Sequence, residues 1–145
     1  MSVDHLEATG PDGVRALAQS DVAGVLLPVA ALFLDRPMPP GRVLVDEGAI
    51  VALATDFNPG SAFSESLPLV MALACTQMHM TPAEALAACT VNAAHVLGRA
   101  DRVGRVAPGY DADIVVLAAS DWRYLAYHLG GNHIARVIRG GTPTA

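Results

Sequence analysis

The residues best suited to chemistry stand together in Thr55-Asp56-Phe57-Asn58-Pro59-Gly60-Ser61. A carboxylate such as Asp56 offers hard oxygen donors that suit Zn²⁺ or Fe²⁺, and it can take a proton from a water acidified by a metal. Pro59 and Gly60 force a turn, and a glycine lets backbone N–H groups come close to a ligand. The same letters also read as a plain turn, with Asp56 capping it and Asn58 forming an Asx-turn. His5 is the second candidate. A neutral imidazole at a strand end can ligate a metal or shuttle a proton, whereas a histidine in a frayed terminus does neither.

The remaining histidines carry weaker signals. His79 and His95 fall in helix-like stretches beside apolar neighbours, where core packing or pairing with helix C-terminal charge is the ordinary role. His128 and His133 flank Gly130-Gly131 and read as outer contacts of a site. Trp122, Tyr124 and Tyr127 form a local aromatic cluster that packing explains more simply than stacking on a ligand. HxH, HExxH and CxxC strings are missing, so the three or four ligands of a metal site cannot be assembled from spacing. No Gly-x-Ser-x-Gly elbow, P-loop or GxGxxG occurs either, which removes the usual footholds for acyl-serine chemistry and nucleotide binding.

Positioning these residues requires strands. Ser2 to Leu6 is a short extended candidate, and Pro11 to Gln19 follows with Val14, Leu17 and Ala18 at helical spacing. Val22 to Leu27 is an apolar run that Pro28 stops, and Ile50 to Thr55 is a second; both read as strands buried on two faces. Between them, the prolines of Asp35 to Gly41 forbid regular pairing, and Arg42 to Glu47 reads as a helix closed by Gly48. Strands near positions 3, 24 and 52 with helices between them have the rhythm of a parallel α/β sheet or barrel. In such a fold Asp56 and His5 both end strands at the edge where active sites gather.

Helices dominate the middle. Ser66 to Met80 aligns Leu67, Val70, Met71, Ala74 and Met78 on one face, Thr81-Pro82-Ala83-Glu84 has capping-box spacing, and Asn92 to Leu97 is ended by Gly98. After Gly104 the rhythm changes: Asp113 to Ala118 and His133 to Arg139 read as strands of a separate small β layer, with a capped short helix from Asp121 to Leu129.

Composition bounds the partners. The chain has 145 residues, of which 52% are hydrophobic and 16% charged, so it can build a core and is not disordered. A mean hydropathy of +0.39 is high for so short a chain and hints at a piece of something larger. The net charge is -5 and the nine basic residues are scattered arginines, which argues against nucleic acid as a partner. Val22 to Leu34, the longest apolar run, is broken by Pro28 and falls short of the roughly 20 residues of a membrane span. The first residues lack a signal-peptide pattern, and the two cysteines form no CxxC pair, so a soluble protein of the reducing cytoplasm is expected.

Five strings carry a family resemblance: Ser2-Val3-Asp4-His5-Leu6, Val25-Leu26-Leu27-Pro28, Ala54 to Ser61, Thr90-Val91-Asn92-Ala93-Ala94, and Ala112-Asp113-Ile114-Val115-Val116. In this order they resemble the imidazolonepropionase family of metal-dependent amidohydrolases over essentially the whole chain. The last two strings are shared widely among amidohydrolases, while Val-Asp-His-Leu and Thr-Asp-Phe-Asn-Pro-Gly look specific to this branch.

The resemblance implies a (β/α)₈ barrel with a small β-sandwich. Residues 1–103 would be the last barrel strands and helices, and 104–145 the C-terminal share of the sandwich. It further implies that Asp56 is a metal ligand with a catalytic part, that His5 is a catalytic histidine, and that Asn58, Gly60 and Ser61 contact the carboxylate-bearing end of the substrate. The cofactor would be one divalent ion, zinc or iron, since Asp and His suit both. The implied reaction is hydrolytic ring opening of 4-imidazolone-5-propionate to N-formimidoyl-L-glutamate by a homodimeric enzyme. The alternatives are another cyclic amidohydrolase, dihydroorotase-like or deaminase-like, and a non-catalytic remnant. The other ligands are expected upstream of Met1, so the chain alone should be inactive. It should also show two open sheet edges and the bare inward faces of residues 22–27 and 50–55.

Overall fold

Three short strands run side by side in the first half of the chain and fix where every later loop emerges. The computed structural model describes residues 1–144. Strands β1 (Ser2–Asp4), β2 (Ala23–Leu26) and β3 (Val51–Leu53) form a parallel sheet in the order β1-β2-β3. Val3 lies opposite Gly24 and Gly24 opposite Val51, and Asp4, Val25 and Ala52 form the next row. Because the strands are parallel, their carboxyl ends share one edge of the sheet.

The crossovers are helical. They are α1 (Pro11–Ala18) between β1 and β2, then α2 (Pro28–Phe33) and α3 (Gly41–Asp46) between β2 and β3. Helix α2 is not among the elements expected from sequence. Pro28 does end the strand, but it also begins a helix, where its missing N–H would have had no partner anyway. Pro28, Val29, Ala30 and Ala31 are all buried there. Gly48 after α3 has φ 83°, the left-handed closure expected of it.

Helix α4 (Leu67–Gln77) is capped by Ser66, whose Oγ accepts from Leu69 N–H. It ends before the expected Met80 because His79 adopts φ 56°, which no helix tolerates. His79 therefore sits in a link rather than on a helix, while Met78 and Met80 on either side remain buried. Helix α5 (Pro82–Cys89) carries the expected capping box in full: Glu84 N–H donates to Thr81 Oγ1, and Thr81 N–H donates to Glu84 Oε2 at 2.7 Å. Arg42 of α3 donates to both Glu84 oxygens, at 2.8 and 3.1 Å, and holds that carboxyl at a pKa of about 2. Helix α6 (Val91–Val96) follows, and Asn92 Nδ2 donates to Val51 O at 2.7 Å, tying α6 to the start of β3.

The expectation that residues 22–27 and 50–55 would be bare is wrong. Val51, Ala52 and Leu53 are each 2% exposed, and Leu26 is fully buried. Helices α3, α5 and α6 pack on β3, and Ala23, Gly24, Ala52 and Ala54 have almost no side chain to leave in water. The exposed strand is β1, where Ser2, Val3 and Asp4 all face solvent and β2 is the main neighbour.

The last part is an antiparallel sheet of β4 (Ile114–Leu117), β5 (Ile134–Arg139) and β6 (Thr142–Pro143), in that order. Strand β6 is not expected from sequence; it follows a turn in which Gly140 and Gly141 both take positive φ, so β5 and β6 form a hairpin. Between β4 and β5, helix α7 (Tyr124–Tyr127) packs on α4 and buries Ala126. Among the described residues no helix is long and apolar enough to cross a membrane.

Candidate active site

Both candidate residues sit just past a strand end, and both have left-handed backbone. His5 still belongs to the sheet through its N–H, which donates to Val25 O at 2.9 Å. The chain then turns sharply: φ is 75° at His5 and 71° at Leu6, and Thr9 N–H closes the bend onto Leu6 O. Such conformations cost about 1–3 kcal/mol each in non-glycine residues. Leu6 gains contact with the core in return, and Gly24 makes room for it, since a Cβ at that position would lie 2.8 Å from Leu6 Cδ1.

The bend folds Glu7 back onto His5. Glu7 Oε1 lies 3.2 Å from His5 Nδ1, with the imidazole half exposed. Both line a cleft of about 460 Å³ with Ala31, Leu34, Arg36 and Pro37. Neither Glu7 nor Arg36 was singled out from sequence. No strand periodicity marks Glu7, because β1 ends at Asp4 and the contact depends on the bend at His5 and Leu6.

At the exit of β3, Ala54 N–H donates to Leu26 O at 3.3 Å and Asp56 adopts φ 52°. Asn58 organises the loop beyond Asp56. Its Nδ2 donates to Asp56 O at 2.6 Å and to Ser61 Oγ at 3.0 Å. Its Oδ1 accepts from Gly60 N–H at 2.8 Å and Ser61 N–H at 2.9 Å, and lies 3.2 Å from the Ser61 hydroxyl. The Asx-turn reading of Asn58 is thus met in the geometry. Gly60 is needed for closeness, because a Cβ there would press to 3.3 Å from Asn58 Oδ1. Backbone pairing of Asn58 with Ala62 closes the loop, and the rings of Phe57 and Phe63 stack over it at 5.3 Å.

The Asp56 carboxylate is half-buried and has no hydrogen bond or ion pair among the described residues. An unpartnered carboxylate fits one donor position of a divalent ion. It cannot hold such an ion alone, since three or four protein ligands are usual, and among the described residues no three His, Cys, Asp or Glu side chains gather in one place. The structure brings His5, Asp56, Asn58, Gly60 and Ser61 to the same carboxyl edge. The two strand ends flank β2, about 10 Å apart at the usual spacing of strands.

The other histidines lie elsewhere. His128 Nδ1 is 2.7 Å from His133 Nε2 across the turn between α7 and β5, with the Tyr124 ring against His133. His95 is exposed on α6. Tyr124 and Tyr127 meet edge to face at 6.1 Å, which is packing rather than a stacking platform.

Comparison with known proteins places this edge in context. The chain is 63% identical over 140 residues to an imidazolonepropionase of Rubrobacter xylanophilus, covering 97% of this chain and 34% of that protein. It is 52% identical over 141 residues to an imidazolonepropionase of Chloroflexus aggregans, covering 97% of this chain and 33% of that one. The chain therefore spans about a third of the length of the curated relatives it matches. Its fold superposes on the crystal structure of an adenosine deaminase from Xanthomonas campestris with bound zinc, with a TM-score of 0.85 at 20% identity over 98% of this chain and 36% of that chain. The three parallel strands thus correspond to part of a barrel in a larger fold. The model of the amidohydrolase family matches residues 5–144, from the histidine just past β1 to the last described residue, and the chain belongs to that family.

Proposed function

We propose that this chain supplies the C-terminal third of an imidazolonepropionase, the hydrolase that opens 4-imidazolone-5-propionate to N-formimidoyl-L-glutamate. The observation that carries the reading is that His5 and Asp56, the latter unpaired among the described residues, follow the ends of two parallel strands at one edge, in a chain 63% identical to an imidazolonepropionase. Residues 1–103 contribute the last barrel strands, and 104–145 the C-terminal share of a β-sandwich.

Asp56 would be one donor to a single zinc or iron ion, with the remaining donors coming from residues outside this chain. When bound, such an ion lowers the pKa of a water from about 16 to about 7, which makes a nucleophile available near neutral pH. Asp56 would serve as a carboxylate donor to that ion and as the nearby acceptor for a proton from the water that adds to the ring carbonyl. His5 would relay that proton, accepting it at Nε2 and delivering it to the leaving ring nitrogen as the ring C–N bond breaks.

The Asn58 turn receives the propionate. Asn58 Nδ2 donates to Ser61 Oγ, and the Ser61 hydroxyl in turn donates to Asn58 Oδ1 at 3.2 Å, a long bond that a substrate carboxylate would replace by turning the hydroxyl outward. The Gly60 and Ser61 N–H groups converge on one oxygen, Asn58 Oδ1, and a substrate carboxylate oxygen reaches them by displacing it.

The test uses the complete protein that contains this chain. It should open imidazolone propionate and leave dihydroorotate untouched, and the reverse preference would overturn the reading. His5→Ala should keep the bound metal and lose most of the rate; loss of the metal would make His5 a ligand instead.

A further inference from the structure

We propose that Glu7 is a positioning residue: it accepts a hydrogen bond from His5 Nδ1 and so turns Nε2 of the imidazole toward the reacting edge. The inference rests on the proposed function, in which His5 relays a proton at Nε2. An imidazole left to solvent exchanges its proton between Nδ1 and Nε2 and rotates about its side-chain bonds. Only the tautomer with its proton on Nδ1, held in one orientation, leaves the Nε2 lone pair free to take a proton at the reacting edge.

Three features of the fold act together to remove that freedom. The His5 backbone is pinned to β2 by its bond to Val25 O. Two successive residues with positive φ, His5 and Leu6, then reverse the chain so that Glu7 reaches back to 3.2 Å from His5 Nδ1. Leu6, a bulky residue that rarely takes this conformation, is held in it by packing against the core at Gly24. The Glu7 side chain is 20% exposed against 50% for His5, so the carboxylate is the more sheltered partner and the imidazole the one presented to the cleft. A carboxylate behind a histidine fixes its tautomer and ring direction, and removing such a partner commonly lowers activity about 10- to 100-fold.

Arg36 is the cation that could draw Glu7 away. It lines the same cleft but forms no ion pair among the described residues.

The experiment compares Glu7→Ala, Glu7→Gln, His5→Ala and the double variant His5→Ala/Glu7→Ala in the complete protein. Turnover, KM and bound metal are measured, and the His5 tautomer is read by ¹⁵N NMR. Glu7→Ala should lower kcat about 10- to 100-fold with KM and metal content nearly unchanged. Glu7→Gln, whose amide oxygen still accepts from Nδ1–H, should restore most of that loss. In the His5→Ala background, Glu7→Ala should cost nothing further, and the Nδ1–H tautomer should dominate only where residue 7 can accept. A full-rate Glu7→Ala enzyme, or a Glu7 effect that persists without His5, overturns the positioning role. A His5→Ala enzyme at full rate overturns the role of His5 itself, which separates failure of the underlying reading from failure of this one.

Discussion

The parallel and antiparallel sheets of this chain treat their apolar residues in opposite ways. In the parallel sheet, Leu26, Val51 and Leu53 are sealed beneath helices. In the antiparallel sheet, Val115 and Val116 on β4 and Ile134 and Val137 on β5 are between 38% and 52% exposed. The difference lies in how each sheet is connected. Parallel strands need crossovers, and the crossovers here are helices that cover the sheet as they return. Antiparallel strands can be joined without such cover, and α7, the one helix between β4 and β5, packs on α4. The candidate site lies on the covered sheet, where a packed scaffold can hold residues of positive φ such as His5 and Asp56 in place.

Substitutions can break or sharpen this contrast. The largest effect is expected at the edge of the parallel sheet: Asp56→Asn in the complete protein should lower bound metal and turnover together, by several orders of magnitude. His128→Ala, in the turn leading to β5, should leave both within about twofold of the parent. Metal analysis alongside an assay of ring opening checks this, and equal losses in the two variants would erase the functional difference between the sheets.

Stability should divide in the same way. Leu26→Ala removes a fully buried side chain and should cost about 2–5 kcal/mol in denaturant unfolding. Val116→Ala, 43% exposed, should cost under about 1 kcal/mol.

A smaller effect concerns acid. Arg42 holds the Glu84 carboxyl at about 2 against an ordinary 4.5, so the folded state favours the ionised form. The stabilisation is complete above pH 4.5 and fades as the pH falls toward 2. Glu84→Gln should flatten that acid slope of the parallel half while leaving neutral-pH stability lower by about 1 kcal/mol, since the capping box is weakened too. Thermal melts from pH 5 to pH 2 would reveal an unchanged slope if the pair were unimportant.

The mildest expectation is kinetic. Burial pushes the Cys89 thiol up to about 12, and Cys75 is also raised by burial. Alkylation of the folded chain at neutral pH should therefore be slow at both thiols and slowest at Cys89. Rapid labelling at Cys89 would mean that α5 opens more readily than its buried neighbours allow.

Much of this architecture was legible in local letters. Strands near Val3, Gly24 and Ala52, the Thr81–Glu84 capping box and the left-handed Gly48 all depend on residues within a few positions of one another. The misreadings were longer in range or hinged on one dihedral. Pro28 looked like a stop and proved also to be a start, and α4 ended early because His79 turned left-handed. At the site, the Asn58 turn was readable from Asn-Pro-Gly-Ser, since each of its bonds spans two or three residues. The role of Glu7 was not, because nothing in the letters His-Leu-Glu announces two consecutive positive φ angles.

By itself, the amino-acid sequence determined the alternation of strand and helix, the caps, and which side chains could act as metal donor, imidazole and turn, because each rests on spacing and on the chemistry of single residues. The tertiary structure decided that β2 and β3 are covered while β1 is left bare, that His5 and Asp56 share an edge across β2, and that Glu7 reaches His5. Those outcomes depend on which distant segments come to lie side by side and on where the core holds the backbone in a bend it would not adopt alone. Pairing and packing are settled only when the whole chain has closed.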